Sequence, residues 1–237
     1  MQLIPLRIIR YSDKHSILSA YTRDSGRLAF LIPEGSGKGI ARRRAMFQPL
    51  FPIEGVVETI PGREFGRIKE PRPIFAAYSL ITNPVKQTLA LFLSEVLSSL
   101  LRHPEPDHRL FDFMVESIKL LEVLPTDRIG NFHIMFLYRL ADFFGIAPDT
   151  GSYSTGDIFD MKDAIFRKTA PLHSDYLPAE SASLLTQLER LGYRTMHLLK
   201  LSRGQRYEIL ESIIRYYELH DFPIHPLKSL PVLASLF

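Results

Sequence analysis

The sequence predicts an α+β protein, a β-rich N-terminal third followed by an all-α remainder. Apolar residues alternate with polar ones over roughly the first 70 residues, then switch to helical spacing from about residue 83. Proline and glycine punctuate the first stretch too closely for crossover helices. Charge divides in the same region. Residues 1–80 hold 13 Lys and Arg against seven Asp and Glu, whereas the rest holds 16 against 19. The overall charge of +3 hides a positive β module joined to a mildly acidic helical one. A positive field on a small β domain suits a polyanion, and nucleic acid is the commonest one.

Ile4, Leu6 and Ile8 alternate with Pro5, Arg7 and Ile9, the pattern of a strand with one buried face. Residues 16–22 and 27–32 make two more strands around Asp24-Ser25-Gly26, a hairpin turn in which glycine accepts a positive φ. Leu28, Phe30 and Ile32 then face the core. A glycine-rich loop at 35–39 reads as a flexible, basic hairpin tip. Phe51, Ile53, Gly55 and Val57 alternate again, Pro61-Gly62 marks a turn, and residues 64–70 supply a fifth strand. Glu70-Pro71-Arg72-Pro73 reads as the exit. Five short antiparallel strands predict a small closed barrel, and the OB-fold is the commonest five-stranded case. This places one domain at residues 1–75 and a helical domain at 76–237.

Asn83 can cap and Pro84 fits the first position of a helix whose face is Val85, Leu89, Phe92, Val96 and Leu100. Phe111, Met114, Val115, Ile118 and Leu121 make a second. Phe132, Phe136, Leu140 and Phe143 make a third, ended by Gly145 with Pro148 beyond. Leu184, Leu185, Leu188 and Leu191 form a fourth, followed by Gly192. Ser202 and Gln205 have the spacing of a capping box for a last helix, which Pro223 and Pro226 stop. Between helices three and four lies a polar segment at 149–178, too long for an ordinary connection.

Several function classes fall away on composition. The chain has no Cys, which removes disulfides, thiolate zinc sites and a cysteine nucleophile. The apolar stretch near 89–101 is broken by Ser94, Glu95, Ser98 and Ser99, and no signal peptide is visible, so a cytoplasmic protein without a membrane partner is expected. Gly35-Ser36-Gly37-Lys38-Gly39 fails as a phosphate loop, because Ile32 and Gly39 stand where Gly and Ser or Thr are needed. Asp157, Asp160 and Asp163 lack the alternation of a calcium loop and read as a solvated acidic turn. No nucleophile with its base, no catalytic residue, no metal site and no cofactor is indicated.

The remaining signal is cationic. Lys38, Arg42, Arg43 and Arg44 fall within seven residues without a carboxylate. Arg7, Arg10, Lys14, Arg23 and Arg27 join them from the first strands, and Arg67 and Lys69 from the last. These eleven are the candidate DNA contacts. Tyr11, Tyr21, Phe30, Phe47 and Phe65 interleave with them, as stacking platforms would require, although most aromatics at such positions are core.

Longer patterns add a family. The chain opens with Tyr11, Asp13-Lys14-His15-Ser16-Ile17-Leu18 and Tyr21-Thr22-Arg23-Asp24-Ser25-Gly26-Arg27. Gln48-Pro49-Leu50 follows, then Phe136, Arg139, Leu140, Phe144, Gly145, Ile146 and Pro148 in helix three. The end runs Tyr216-Tyr217, His220, Phe222 and Pro226-Leu227-Lys228-Ser229-Leu230. This order resembles the bacterial RecO family of recombination mediators, in the version found in the Bacteroides group. The resemblance implies an OB-fold that binds single- and double-stranded DNA, a helical domain, and ATP-free annealing of complementary strands. It also implies RecR as a partner, binding of the acidic C-terminal tail of single-strand-binding protein, and help in loading RecA on gapped DNA at the nucleoid. Phe136, Arg139 and Phe143 are the candidates for the tail groove. Many relatives carry a four-cysteine zinc module where this chain has only the polar 149–178 segment, so no metal carries over. The rival expectation is an OB-type protein-interaction scaffold without annealing activity.

Overall fold

In a computed structural model the chain is described over residues 1–35, 37–58, 65–102, 105–224 and 226–237, apart from the side chains of Lys38, Ala41 and Arg42. The expected turn at Pro61-Gly62 lies outside the described residues. The chain divides into two compact units, Met1–Val123 with Leu227–Leu230, and Leu124–Pro226 with Pro231–Phe237.

The first unit is built on a five-stranded antiparallel sheet. Its strands are β1 (Gln2–Arg10), β2 (His15–Thr22), β3 (Gly26–Pro33), β4 (Ile53–Glu58) and β5 (Arg67–Pro73), in the order β3-β2-β1-β4-β5. The alternation sorts largely as expected: Ile4, Leu6, Leu18, Phe30, Ile32, Ile53 and Ile68 are buried, while Arg7, Arg67 and Lys69 are exposed. Ile8 and Leu28, expected in the core, are half-buried, and Pro5, expected outside it, is buried. The β2–β3 hairpin turns at Gly26, whose φ of 61° needs glycine. Thr22 locks the turn by donating its hydroxyl to the Gly26 carbonyl at 2.8 Å. The edge strands meet at one parallel bridge, Phe30 to Gly66, where the Leu31 N–H donates to the Gly66 carbonyl at 2.9 Å. The ladder does not run continuously round a barrel, but this strand order with β3 meeting the start of β5 is the OB arrangement. The β4–β5 register shifts beside Gly55. A Cβ there would lie 2.8 Å from Ile68 Cγ2 and 2.9 Å from the Lys69 carbonyl, so the crossing admits only glycine.

Two local expectations are corrected. Lys38 and Gly39, read as the end of a flexible hairpin tip, instead open a short helix, α1 (Lys38–Ala45), followed by Phe47 and Leu50, both 1% exposed. Its Arg and Ala residues favour helix, and the three glycines masked that propensity. The residues read as the exit from the barrel remain in β5 through Pro73. Three helices follow: α2 (Tyr78–Thr82), which the periodicity did not signal, α3 (Pro84–Leu100) and α4 (His108–Val123). Asn83 caps α3 as expected, accepting from the N–H groups of Val85 at 3.0 Å and Lys86 at 3.2 Å. The Glu122 carboxylate caps α2 through Ser79 and Leu80, both at 2.8 Å. Buried Lys86 completes the knot by donating to the Ser79 hydroxyl and the Glu122 carbonyl, and burial lowers the pKa of its ammonium.

The second unit is centred on α5 (Phe132–Leu140), in which every residue but Arg139 is buried. A 3-10 turn extends it to Phe144, and Gly145 ends it in the left-handed region at φ 70°. Around it pack α6 (Ala179–Arg190), α7 (Arg203–Leu219) and the short α8 (Leu230–Leu236). The capping box of Ser202 and Gln205 is present. The Tyr217 hydroxyl donates to the Leu137 carbonyl at 2.8 Å, tying α7 to α5.

The all-α expectation for the remainder needs one addition. Within 149–178 the chain forms a three-stranded sheet of β6 (Ile158–Asp160), β7 (Ile165–Arg167) and β8 (Tyr176–Leu177), ordered β7-β6-β8. Strands of two or three residues are too short to show a period in sequence. Of the acidic residues expected in a solvated turn, Asp163 is exposed but Asp157 and Asp160 are buried. Asp160 is 1% exposed and accepts from the Lys162 and Asp163 N–H groups, while Arg167 Nε lies 3.0 Å from it and His173 Nε2 3.4 Å. Buried Asp157 accepts from the Ser154 N–H at 2.9 Å. Among the described residues no cluster of His, Asp and Glu could hold a metal, and no helix is long and apolar enough to cross a membrane.

Candidate nucleic-acid interface

The β alternation that buries Leu6 and Ile68 puts Arg7 of β1 and Arg67 and Lys69 of β5 on the opposite, solvent side, whereas Arg10 shares the face of Ile8. Arg7, Lys14 and Arg67 are exposed there and enter no ion pair among the described residues. They are the cations most available to an incoming phosphate. Beside them Tyr11 is 64% exposed and meets Phe65 edge to face, with ring centroids 6.4 Å apart. Tyr21, Phe30 and Phe47 belong to the core, so Tyr11 and Phe65 are what remains of the interleaved aromatics as a stacking surface.

The other candidates carry internal partners. Arg10 pairs with Asp13 at 2.9 Å, and Lys69 with Glu58 at 2.8 Å. Arg44 pairs with Glu34, which also accepts from the Ser16 hydroxyl. Arg10 and Arg44 thus line one polar cleft with Asp13, Ser16 and Glu34. Arg43 donates to the Ile68 carbonyl and fastens α1 to β5. The side chains of Lys38 and Arg42 lie outside the described residues. Arg23 grips Asp112 of α4 with both arms, at 3.1 and 2.9 Å, holding the carboxyl below the usual carboxylate range. Arg27 has turned inward, donating to the Ser19 hydroxyl and to the carbonyls of Ser98 and Leu101 at the end of α3. Burial first, then the neighbouring Arg102 and Arg7 charges, lower the pKa of its guanidinium.

Arg23 and Arg27 are therefore fasteners between sheet and helices. Their sites of attachment lie 71 to 89 residues away in sequence, so no local reading reveals them. Arg72, exposed and paired with Glu54 at 2.8 Å, belongs to the same surface and was not singled out, because the Pro-Arg-Pro setting looked like a linker.

The three residues expected to form a peptide groove are placed differently from one another. Phe136 is core. Arg139 caps the C-terminal end of α6, donating to the carbonyls of Glu189 at 2.7 Å and Leu191 at 3.1 Å and to the Glu189 carboxylate at 3.0 Å. The Tyr138 hydroxyl donates to the same carboxylate, and burial raises its pKa well above the ordinary phenol value. Phe143 is half-buried. Next to them, α5, α6 and α7 enclose an apolar hollow of about 60 Å³ walled by Leu137, Leu185, Leu188, Phe159, Ile213 and Tyr216.

Two family models match the chain in tandem, Recombination protein O N terminal over residues 2–76 and Recombination protein O C terminal over residues 81–231. Curated relatives match it from end to end. DNA repair protein RecO of Bacteroides fragilis is 39% identical over 237 residues, 99% of this chain and 97% of that protein. Its counterpart in Phocaeicola vulgatus is 38% identical with the same coverage. That of Porphyromonas gingivalis is 34% identical over 238 residues, again 99% and 97%. With an OB-type sheet under the first model and the helical region under the second, the chain belongs to the RecO family of DNA repair and recombination proteins.

Proposed function

We propose that this chain binds DNA through the outer surface of its five-stranded sheet and anneals complementary single strands without ATP. With RecR it then helps to load RecA on gaps coated with single-strand-binding protein. The observation that carries the DNA-binding part is the set of exposed cations Arg7, Lys14 and Arg67, in no ion pair among the described residues, beside the Tyr11–Phe65 pair. Cations neutralise backbone phosphates, and the release of condensed counterions supplies affinity. Two strands held this way repel each other less, while an aromatic pair can steady an unpaired base. Nothing in such a scheme needs bond-breaking chemistry, which suits a protein without an indicated nucleophile. RecR and the tail of single-strand-binding protein are assigned as partners on family membership.

The internal pairing of Arg10, Arg23, Arg44 and Lys69 favours a second reading, an OB-type scaffold that engages protein alone. One experiment separates the two. Annealing of fluorescent complementary oligonucleotides coated with single-strand-binding protein is followed without ATP, at low and moderate salt. Wild type is compared with Arg7→Gln/Lys14→Gln/Arg67→Gln. Fast annealing that fades with salt and drops at least tenfold in the variant supports the mediator reading. Absence of DNA binding and annealing at every salt concentration selects the scaffold.

A further inference from the structure

The acidic helical unit contains a local reversal of charge. Arg128, Lys200 and Arg206 line a cleft of about 380 Å³, in which Asp127 is the one carboxylate among the described lining residues. Arg203 borders the neighbouring hollow, which shares Arg206. Arg128, Lys200 and Arg203 are exposed and enter no ion pair among the described residues. The floor is built rather than incidental. Buried Asn131 donates to the carbonyls of Met196 at 2.9 Å and Leu199 at 2.8 Å, and accepts from Arg206 Nε at 2.9 Å. Asn131 thereby fixes both the 196–199 turn and the direction of the guanidinium.

Arg206 is half-buried without a carboxylate partner among the described residues, and burial lowers its pKa. An anion placed beside it would relieve that cost. His197 also lines the cleft, and its buried Nδ1 has no hydrogen-bond partner among the described residues. Such walls suit a phosphate better than an apolar side chain, because Leu199 and Leu201 are the cleft's large apolar members and both are themselves largely covered.

We propose that this cleft takes a backbone phosphate of DNA, giving the helical unit a nucleic-acid contact of its own in addition to the sheet. The proposal rests on the DNA-binding reading above, and the test keeps the two apart. Full-length wild type, Arg128→Gln/Lys200→Gln and the sheet variant Arg7→Gln/Lys14→Gln/Arg67→Gln are titrated into fluorescent single-stranded DNA over a range of salt. Thermal unfolding checks that each is folded. Both cleft side chains are exposed, so the double variant should fold normally. Its affinity should fall at least fivefold, and the slope of log K against log[salt] should shrink by about 0.7, the value for one lost phosphate contact on a single strand.

Unchanged affinity and slope in the cleft variant, with binding lost in the sheet variant, overturns the cleft and leaves the sheet standing. Unchanged DNA binding with loss of a synthetic acidic peptide would also overturn it, making the cleft a protein-binding site. If wild type binds no DNA, both readings fall together.

Discussion

His133 shows how much a single ring can report. It sits in α5, fully buried and stacked on Phe237 at 5.8 Å, and burial with the nearby Arg206 charge pushes its pKa down to about 3. The unfolded chain takes up a proton there near pH 6.5 and the folded chain does not. The folded-state pKa is therefore depressed, so stability is complete above about pH 6.5 and drains away as pH falls toward about 3. Between pH 5 and 4, wild type should lose about 1.4 kcal/mol per pH unit more than His133→Leu, read from urea unfolding. Asn131 offers a second measurement. Asn131→Ala removes three hydrogen bonds and strands two carbonyls, and should cost about 2–4 kcal/mol in the same assay. Neither role was legible in sequence, since the partners of Asn131 lie 65 to 75 residues away.

At the scale of elements, what could be read depended on how local the cause was. The starts of α3 and α7 were legible because Asn83-Pro84 and Ser202 with Gln205 cap their helices from adjacent residues. The β2–β3 hairpin was legible because Gly26 announces its own φ. α1 was not, since its eight residues carry few apolar side chains to mark a face. The β6–β8 sheet escaped for a related reason: Asp160 organises it through backbone N–H groups and Arg167, and a carboxylate shows no period. Asp160→Ala should therefore loosen that sheet and cost about 3 kcal/mol, with hydrogen exchange accelerating across 158–177 before the helices open. Gly55→Ala should act on β4 and β5 instead. Its Cβ would press on the Lys69 carbonyl, and a loss of about 1–3 kcal/mol is expected in thermal unfolding.

For the whole molecule, the split between a basic β third and an acidic helical remainder was visible in a count of charges, and so was the order of the architecture. The site was less visible. Eleven cations were picked by type, yet four of them pair with carboxylates and two more are spent on backbone carbonyls. Counting charges reveals the sign of a field but not which ends are occupied. The polar insert holds itself together by ion pairs and short strands, so unfolding should be indifferent to chelator and sensitive to high salt. A fall in melting temperature with EDTA would contradict this.

The pairing of Arg44 with Glu34 has a further consequence on the proposed reading. A protein that brings two strands together must afterwards let the duplex go. Glu34 competes with phosphate for the same guanidinium, so each contact forms by exchange of one anion for another and reverses readily. Glu34→Gln should bind DNA more tightly yet turn over fewer annealing events, because product would leave more slowly. If the proposed annealing holds, the carboxylates paired with these cations would act as a built-in release.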